Sequence, residues 1–392
     1  MNKFILDTAV QQYINTHLNA DVNQIALAKS PFTMVSSKEL SIQIKAKKKA
    51  EKKLPTWFNA GSIYYPEPLS IEQCSSETTA AYKASLFNGG KLIDLTGGFG
   101  VDSYYFAKKA SSVLHCEINQ ELAQIAAHNV EALQVANITF LAGDGLAYLK
   151  TADKTYDTIY IDPARRSNVG KVFMLKDCTP NVVENLDLLL NKASKVIVKT
   201  SPLLDITAGL KELNHVTEVH IVSTKNECKE LLFVMEKTEI IKPVKITSVT
   251  INDNIKQFSF FNGEKTQGIL AENLLDYIYE PDVALLKSGG FSLIGERYEL
   301  KKLQEQTQLY TSNEYKPDFP GRIFKVNEVI SAADLKKIKN LSGNVLVRNY
   351  PEQAEILARK YKIKAGKNEF YIFTQMKASR LLIIKATILQ HY

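Results

Sequence analysis

The stretch from residue 91 to residue 236 alternates short apolar runs with helical segments, and no other feature of the sequence restricts the fold as strongly. Strands that are buried on both faces read as continuous runs of Val and Ile, and helices between them make neighbouring strands parallel. These runs predict an α/β domain with a largely parallel, seven-stranded sheet. The seven runs are Lys91–Leu95, Ser112–Cys116, Ile138–Leu141, Thr158–Ile161, Lys195–Lys199, Glu218–Val222 and Leu231–Glu236.

The last two runs differ from the others in how they are connected. Only residues 223–230 lie between them, and this segment is too short for a helical crossover that would return the chain to a parallel strand. We therefore predict that these two strands form an antiparallel hairpin, so that the last strand of the sheet is antiparallel.

The chain outside this domain has a different character. Residues 1–69 carry apolar side chains near helical spacing, for example Val10 and Ile14, and are predicted to form a helical region. Residues 238–392 begin with β-rich sequence and continue as a mixed α+β segment. Because 392 residues exceed the usual size of one core, we predict three regions, at 1–69, 70–237 and 238–392.

A glycine-rich segment follows the first predicted strand. Asp94 ends the strand, Gly97, Gly98 and Gly100 follow, and a helix is predicted from Ser103. Glycines let the backbone turn tightly and approach a ligand, whose polar groups then meet the free N–H groups at the helix start. Such a turn is common without any ligand, so its meaning depends on residues elsewhere in the chain.

Acidic residues stand at the ends of the next two strands. Glu117 ends the second strand, where a carboxylate can accept both hydroxyl groups of a ribose. Asp144, followed by Gly145, ends the third strand, where it could accept a hydrogen bond from an adenine amino group. A dinucleotide site also needs an acid about 20 residues after its glycines, but Ser103 occupies its third glycine position. The pattern therefore favours a nucleoside site of another kind.

These segments together resemble the successive motifs of the class I S-adenosylmethionine-dependent methyltransferases. The resemblance is carried by 94–100 (DLTGGFG), Glu117, Asp144 and 161–165 (IDPAR), with Thr96 where most members have glycine. The segment 71–78 (IEQCSSET) and the C-terminal part further resemble bacterial members with a THUMP-like domain, a group associated with RNA. The resemblance implies a Rossmann-like methyltransferase sheet, an N-terminal helical region and a C-terminal THUMP-like or ferredoxin-like α+β domain.

The same resemblance implies S-adenosylmethionine as the cofactor and RNA, either rRNA or tRNA, as the partner. The activity that it implies is methylation of RNA at a base nitrogen or another position that is not C5. The residues that it assigns to cofactor binding are Asp94, Thr96, Gly97, Gly98, Gly100, Glu117, Asp144, Gly145 and Asp162.

The loop after the fourth strand is where the substrate should meet the methyl group. Methyl transfer depends mainly on in-line positioning, with an acceptor where a proton must leave. Asp162 is the candidate acceptor and Pro163 fixes the turn. Amino-group methylases of nucleic acids usually place an aromatic ring next, which stacks on a flipped base. Arg165 and Arg166 stand here instead, and favour guanidinium contacts with phosphates or base edges, unless they only pair with nearby acids.

Methylation at C5 of a pyrimidine is disfavoured by the sequence. That reaction needs a cysteine nucleophile, which related enzymes place in the loop after the fourth strand or just after the fifth. The residues at these positions are Ala164 and Ser201. We therefore expect a target position other than C5.

Two further alternatives stay open. One is suggested by four charged residues that resemble in order the set used by 2′-O-ribose methyltransferases, in which lysines beside carboxylates help to deprotonate a hydroxyl group. Ordinary salt bridges would also account for these residues. The other alternative is a non-catalytic RNA-binding protein with a methyltransferase-like core. The four charged residues are Lys83, Asp162, Lys199 and Glu230.

The net charge of +7 is modest, but its distribution is uneven. Six lysines lie between Lys45 and Lys53, and twelve basic residues face four acidic ones between Asp334 and Lys385. Positive charge neutralises a nucleic-acid backbone, and interleaved aromatic residues such as Phe373 would allow stacking on unpaired bases. In a small domain such rings are more often part of the core, so a core role for them stays open as well.

Two classes of partner, a metal ion and a membrane, are not expected from the sequence. The four cysteines show no C-x-x-C spacing and no nearby histidines, so no metal site is predicted. No apolar run approaches the roughly 20 residues of a membrane span, and we expect a cytoplasmic protein without a membrane partner. The sequence indicates no oligomeric state.

Overall fold

The computed structural model describes residues 1–165, 174–237 and 242–392, and the chain divides into two compact units. The first unit contains Met1–Val216 and Phe233–Ile240, and the second contains Thr217–Leu232 and Ile241–Tyr392. The N-terminal helices and most of the predicted parallel sheet therefore belong to the same unit.

Helices form the N-terminal part of the first unit, as their apolar spacing predicted. α3 begins with a capping box, in which Ser36 and Glu39 each accept the other's backbone amide. Its apolar face belongs to a core that also contains the fully buried Trp57. The elements are a 3-10 turn at Lys3–Leu6, α1 (Thr8–Thr16), α2 (Val22–Leu27), α3 (Ser37–Lys53), α4 (Pro55–Asn59) and α5 (Pro68–Gln73).

The lysine run on α3 is only partly solvated. Lys47 is buried, with its ammonium group 5.6 Å from the ring centroid of Phe58. Lys49 pairs with Glu72, and the Lys53 ammonium donates to the carbonyl of the same residue at 2.6 Å. Part of this positive charge therefore holds α3 against α5 and is used within the unit.

The parallel sheet of the first unit alternates with further helices. The helices are α6 (Glu77–Ser85), α7 (Val101–Ala107), α8 (Gln120–Ala132), α9 (Gly145–Thr151), α10 (Leu186–Lys192) and α11 (Ile206–Glu212). The strands are β1 (Lys91–Asp94), β2 (Ser112–Glu117), β3 (Ile138–Ala142), β4 (Tyr156–Ile161), β7 (Ala193–Thr200) and the end of β9 (Glu227–Glu236). A separate two-stranded ladder pairs β5 (Ala164–Arg165) with β6 (Cys178–Thr179), which follows a 3-10 turn at Leu175–Asp177.

The strand order in this unit is β3-β2-β1-β4-β7-β9. β1 pairs in parallel with β2 and with β4, which places Asp94 between His115 and Tyr160. The β2–β3 and β4–β7 pairs are parallel as well. The carboxyl ends of five strands therefore lie along one edge of the sheet, where ligands of open α/β folds bind.

The hairpin predicted at the end of the sheet is present. β8 (Val216–Thr224) and β9 are neighbours in the sheet and are joined by Lys225 and Asn226. Both linking residues have positive φ, 50° and 59°, which is the backbone conformation of a two-residue type I′ turn between antiparallel strands. The predicted α/β fold with an antiparallel last strand is thus confirmed.

In the second unit, β8 carries two additional strands. β10 (Lys245–Ile251) pairs with it in parallel, and β11 (Ile255–Phe261) pairs with β10 in the antiparallel sense. The sequence predicted β structure in both segments, but not the pairing of β10 with β8. Such a pairing depends on a contact between distant residues, which local propensity does not report.

A second sheet, of seven strands, forms the rest of this unit and confirms its predicted α+β character. The strands are β12 (Tyr277–Pro281), β13 (Lys301–Gln304), β14 (Thr307–Ser312), β15 (Gly321–Ile330), β16 (Asn344–Val347), β17 (Glu369–Gln375) and β18 (Leu381–Gln390). Their order is β13-β14-β12-β15-β18-β17-β16. The helices are α12 (Val283–Ser288), α13 (Phe291–Arg297), α14 (Ala332–Lys337) and α15 (Ala354–Lys360), with a 3-10 turn at Lys377–Ser379.

The aromatic residues of the last part of the chain belong to the core of this sheet. Tyr361, Phe370, Tyr371 and Phe373 are buried, and the ring of Tyr350 packs edge-on against Phe373 at 5.4 Å. These five rings therefore stabilise the domain, and they do not form an exposed platform for bases.

Two segments of this sheet domain together present an exposed basic surface, which we call the lysine loops. They span residues 336–343 and 362–368 and contain no acidic residue. The amide of Gly343 donates to the carbonyl of Lys364 at 2.8 Å, and the amide of Lys364 donates to the carbonyl of Leu341 at 2.9 Å. These bonds hold the two segments side by side. The exposed lysines are Lys336, Lys337, Lys339, Lys362, Lys364 and Lys367.

Within the described parts of the chain, none of the helices is both long enough and apolar enough to span a bilayer.

Candidate functional site

Four acidic residues predicted as site residues lie at the carboxyl edge of the parallel sheet in the first unit. Asp94 and Glu117 end β1 and β2, Asp162 follows β4, and Asp144 precedes α9 just after β3. Because these strands are neighbours and parallel, their ends bring together residues that are up to 68 positions apart in the chain. The edge is therefore the candidate ligand site.

The glycine turn is bonded directly to Glu117. The amide of Gly98 donates to one carboxylate oxygen of Glu117 at 2.9 Å, and the amide of Asn119 donates to the other at 2.8 Å. Gly98 and Gly100 have φ of 57° and 87°, a left-handed backbone that favours glycine. A side chain at Gly98 would have no neighbour closer than 4.0 Å, so the space above the turn is open to a ligand.

Gly97 is required for a different reason than the ligand approach that the sequence suggested. A Cβ atom at this position would overlap the imidazole ring of His115, which is fully buried beneath the turn. Burial lowers the pKa of His115 to about 3, so the ring is neutral. Its Nδ1 atom hydrogen-bonds Ser103 at 3.0 Å, which fixes the ring in place.

Thr96, the departure from the usual glycine, connects the turn to the loop after β4. Its hydroxyl oxygen accepts the backbone amide of Asp162 at 2.7 Å. A glycine could not make this bond. The substitution that weakened the motif in the sequence therefore fixes the start of the candidate catalytic loop.

Asp144 and Gly145 open α9 on the other side of the site. One carboxylate oxygen of Asp144 accepts the amides of Leu146 and Ala147 at 2.8 and 3.1 Å and caps the helix. A Cβ atom at Gly145 would lie 2.8 Å from the Cβ atom of Cys116. These contacts hold Asp144 close to β2, and its second oxygen is not part of the cap.

Asp162 forms an ion pair with Lys199, which lies near the end of β7. The side chain of Lys199 is 15% exposed and that of Asp162 is 34% exposed, so both reach the edge of the site. Pro163, the residue after Asp162, is buried. The side chain of Arg165 and all of Arg166 lie outside the described residues, and their predicted contacts with phosphates or base edges stay predictions.

A carboxylate that the sequence analysis missed lies next to this pair. Asp102, in the first turn of α7, pairs with Lys83 at 2.9 Å. Burial would raise the pKa of Asp102, but Lys83 and Lys199 outweigh that effect and hold the pKa below its ordinary value. The sequence had suggested that Lys83 and Lys199 act as a pair with Asp162 and Glu230. In the structure Lys83 is fully buried and bonded to Asp102, and Glu230 is a buried residue of β9.

Asp94 is buried with few compensating charges. Ser103 Oγ and the amide of Thr96 donate to its carboxylate at 2.6 and 3.1 Å. Burial, together with the negative charges of Asp102 and Asp162, raises the pKa of Asp94 to about 7 despite these bonds. The carboxyl group of Asp94 therefore gains or loses its proton near neutral pH.

This raised pKa predicts a pH dependence of stability. Between about pH 4 and pH 7 the folded protein holds a proton on Asp94 that the unfolded chain, with a pKa near 3.8, releases. The free energy of unfolding should therefore fall as the pH rises through this window, by up to about 4 kcal/mol from this group. Urea denaturation of the wild-type protein and of Asp94→Asn between pH 4 and pH 8 measures the difference. Equal pH slopes for the two proteins would contradict the assignment.

Among the described residues, no group of three or more His, Cys, Asp and Glu side chains is arranged to hold a metal ion. The polar groups at the carboxyl edge are carboxylates, which accept hydrogen bonds, and backbone amides, which donate them, and both suit the hydroxyl and amino groups of a nucleoside.

Known proteins resemble this chain over its whole length. The crystal structure of a protein of Porphyromonas gingivalis W83 matches this chain with a TM-score of 0.88 at 31% identity, covering 99% of both chains. The name of that protein calls it a methyltransferase and gives no substrate. An uncharacterised S-adenosylmethionine-dependent methyltransferase of Mycobacterium tuberculosis is 21% identical over 326 residues, which are 81% of this chain and 87% of the relative.

Other similarities cover parts of the chain. Residues 277–320 match a ferredoxin-like domain, and residues 321–386 match a THUMP domain-like family. An uncharacterised RNA methyltransferase of Mycoplasma mobile is 37% identical over 75 residues, and the match spans only 21% of that relative. The 23S rRNA (uracil(747)-C(5))-methyltransferase of Pyrococcus abyssi is 31% identical over 147 residues, which are 35% of this chain and 33% of the relative.

Proposed function

Because the chain belongs to the family of class I S-adenosylmethionine-dependent methyltransferases with a THUMP-like domain, we propose that it transfers the methyl group to RNA, at a position other than C5 of a pyrimidine. The observation that supports RNA as the substrate class is the pair of lysine loops in the THUMP-like segment. Six exposed lysines lie on two bonded segments, and in the described part of the chain only Lys337 among them pairs with an acidic side chain, that of Asp334. Such a surface suits the phosphate backbone of a folded RNA. The names of the Mycoplasma and Pyrococcus relatives support the same class.

S-adenosylmethionine supplies a methyl group on a positively charged sulfur. The residues at the carboxyl edge fit this cofactor. Glu117 would accept the ribose hydroxyl groups, since both of its oxygens are held in place by Gly98 and Asn119. Ile118 is 73% exposed and offers an apolar surface for the adenine ring, while the glycine turn leaves the space above Gly98 open. We assign Asp94, Thr96, Gly97, Gly100, Asp144 and Gly145 to the same site.

Asp162 is the residue that would orient the nucleophile. Its carboxylate accepts hydrogen bonds, its backbone is tied to Thr96, and Lys199 holds one of its oxygens. An amino or hydroxyl group that donates to Asp162 would have its lone pair directed towards the methyl donor and would lose its proton to the carboxylate or to water. Pro163 and Arg165 complete this loop in the proposal.

The chemistry of the cysteines supports a target other than C5. A C5 transfer needs a thiolate, but burial raises the pKa of Cys74 and of Cys228 to about 11 and that of Cys116 to about 12. Cys178 is fully buried. The resemblance to the Pyrococcus enzyme therefore does not extend to its target position in our proposal.

A second candidate is transfer to the 2′-hydroxyl group of a ribose. The ion pair between Lys199 and Asp162 favours it, because these two residues are half of the four-residue set that such a transfer would use. Lys83 argues against it, because its ammonium group is buried and bonded to Ser75 and Asp102. A base nitrogen is therefore the first candidate.

The test is nucleoside mass spectrometry of RNA from a strain of the source organism that lacks the gene. We expect one methylated nucleoside to be missing and to return with a plasmid copy of the wild-type gene. Fragmentation at the glycosidic bond then shows whether the methyl group is on the base or on the ribose. An unchanged nucleoside profile, together with normal S-adenosylmethionine binding in calorimetry, would mean that RNA is not the substrate.

A further inference from the structure

Asp102 joins three separate segments of the first unit at a single carboxylate. One oxygen pairs with the ammonium group of Lys83 at 2.9 Å. The other accepts the hydroxyl groups of Ser75 at 2.8 Å and of Tyr160 at 3.0 Å. Lys83 also donates to Ser75 at 2.5 Å. Three donors therefore share one acidic side chain.

Asp102 and its partners come from three segments of the chain, with Ser75 and Lys83 on one of them. Asp102 itself lies in the first turn of α7, directly after the glycine turn. Tyr160 is on β4, two residues before Asp162. Ser75 lies just before α6. The carboxylate thus connects the turn assigned to the cofactor with the strand that ends at the candidate catalytic residue.

The energetics of this cluster favour a single geometry. The side chain of Lys83 is fully buried, and that of Asp102 is 12% exposed. A buried charge that loses its partner costs several kcal/mol, so neither group can leave the other without a large penalty. Bonds made to ionised groups are also the stronger ones and hold their partners at fixed distances. Small shifts in such a frame change reaction rates strongly, since transfer requires alignment within a fraction of an ångström.

We propose that Asp102 is a positioning residue of the methyl-transfer site, which holds the end of β4 and its Asp162 in a fixed relation to the glycine turn, with Lys83 as its counter-charge. This role rests on the proposed function for its effect on rate, but the geometric part does not depend on the substrate. It also gives Lys83 a role other than that of a base for a ribose hydroxyl group.

The phenol of Tyr160 allows a test that keeps the charges intact. Tyr160→Phe removes one bond to Asp102, whereas Tyr156→Phe removes a phenol on the same strand that bonds to Tyr148 at 3.5 Å and not to Asp102. With S-adenosylmethionine bound, we expect amide hydrogen exchange in a peptide covering residues 158–163 to be about ten-fold faster in Tyr160→Phe and unchanged in Tyr156→Phe. This readout needs no RNA.

The second readout is methylation of total RNA from the strain that lacks the gene. We expect kcat of Tyr160→Phe to fall about ten-fold with the KM for S-adenosylmethionine unchanged, and kcat of Tyr156→Phe to stay at the wild-type value. Equal exchange and equal rates in the Tyr160 and Tyr156 variants would overturn the positioning role. If the exchange differs as expected but the wild-type protein methylates no RNA, the proposed substrate is wrong and the positioning role stands.

Discussion

Replacing Gly97 by alanine is expected to weaken the binding of S-adenosylmethionine about 100-fold, which corresponds to about 2.7 kcal/mol. The added methyl group would overlap the His115 ring, and this ring is buried and bonded to Ser103, so it has no free space to enter. The turn must then move away from the sheet. Such a movement would lengthen the 2.8 Å bond from the Gly97 amide to the carbonyl of Cys116 and disturb the neighbouring bond to Glu117. Calorimetry with S-adenosylmethionine measures the loss.

The chain provides a matched control and a rescue for this experiment. Gly143 lies at the same edge of the sheet, but a Cβ atom there has nothing within 4 Å, so Gly143→Ala should bind the cofactor as the wild type does. Adding His115→Ala to Gly97→Ala removes the ring and should recover a large part of the affinity. If Gly97→Ala binds normally, or if the His115 change brings no recovery, the steric explanation is wrong.

Replacing Asp162 by asparagine should lower the rate of methyl transfer by at least about 100-fold, the effect typical of a lost proton acceptor. Asparagine has nearly the same shape, so the backbone bond to Thr96 is kept and the affinity for S-adenosylmethionine should change little. The variant removes the carboxylate that we propose to orient the nucleophile, and it removes the ion pair with Lys199. Transfer of a labelled methyl group to RNA from the strain that lacks the gene gives the rate.

Asp153→Asn is the control for this variant, since Asp153 is an exposed acid in the loop before β4, at the opposite end of the strand. It should transfer methyl groups at the wild-type rate. A rate in Asp162→Asn that is also within a few-fold of the wild type would remove Asp162 from the catalytic role. A large loss of cofactor affinity in the same variant would instead place Asp162 in cofactor binding.

Much of the first unit was predictable from the sequence because its signals are local. The seven apolar runs correspond to β1, β2, β3, β4, β7, β8 and β9, with ends that differ by a few residues. The antiparallel hairpin followed from the short distance between its strands. Acidic residues at strand ends were also visible, since the carboxyl ends of parallel strands meet at one edge whatever the details of packing.

The remaining features depend on contacts between distant residues. Asp102 looked like an ordinary helix residue, and its role appears only when Lys83, Ser75 and Tyr160 are brought to it from other segments. Thr96 was visible only as a departure from the usual glycine, and its bond to the amide of Asp162, 66 positions away, appears only in the structure. The Gly-x-Gly-x-Asp spacing of residues 98–102 contained no signal that would distinguish Asp102 from a solvated acid in the first turn of a helix.

The burial of the aromatic rings in the THUMP-like segment bears on how an RNA would be selected. Tyr361, Phe370, Tyr371 and Phe373 are in the core, so this surface presents lysines and none of these four rings for stacking on bases. Contacts with phosphates alone do not distinguish one nucleotide from another. Recognition would then follow the folded outline of the RNA, so that compensatory base-pair changes in a stem leave the substrate acceptable while a change in its architecture does not. Discrimination among the four bases would fall to the few side chains around Asp162.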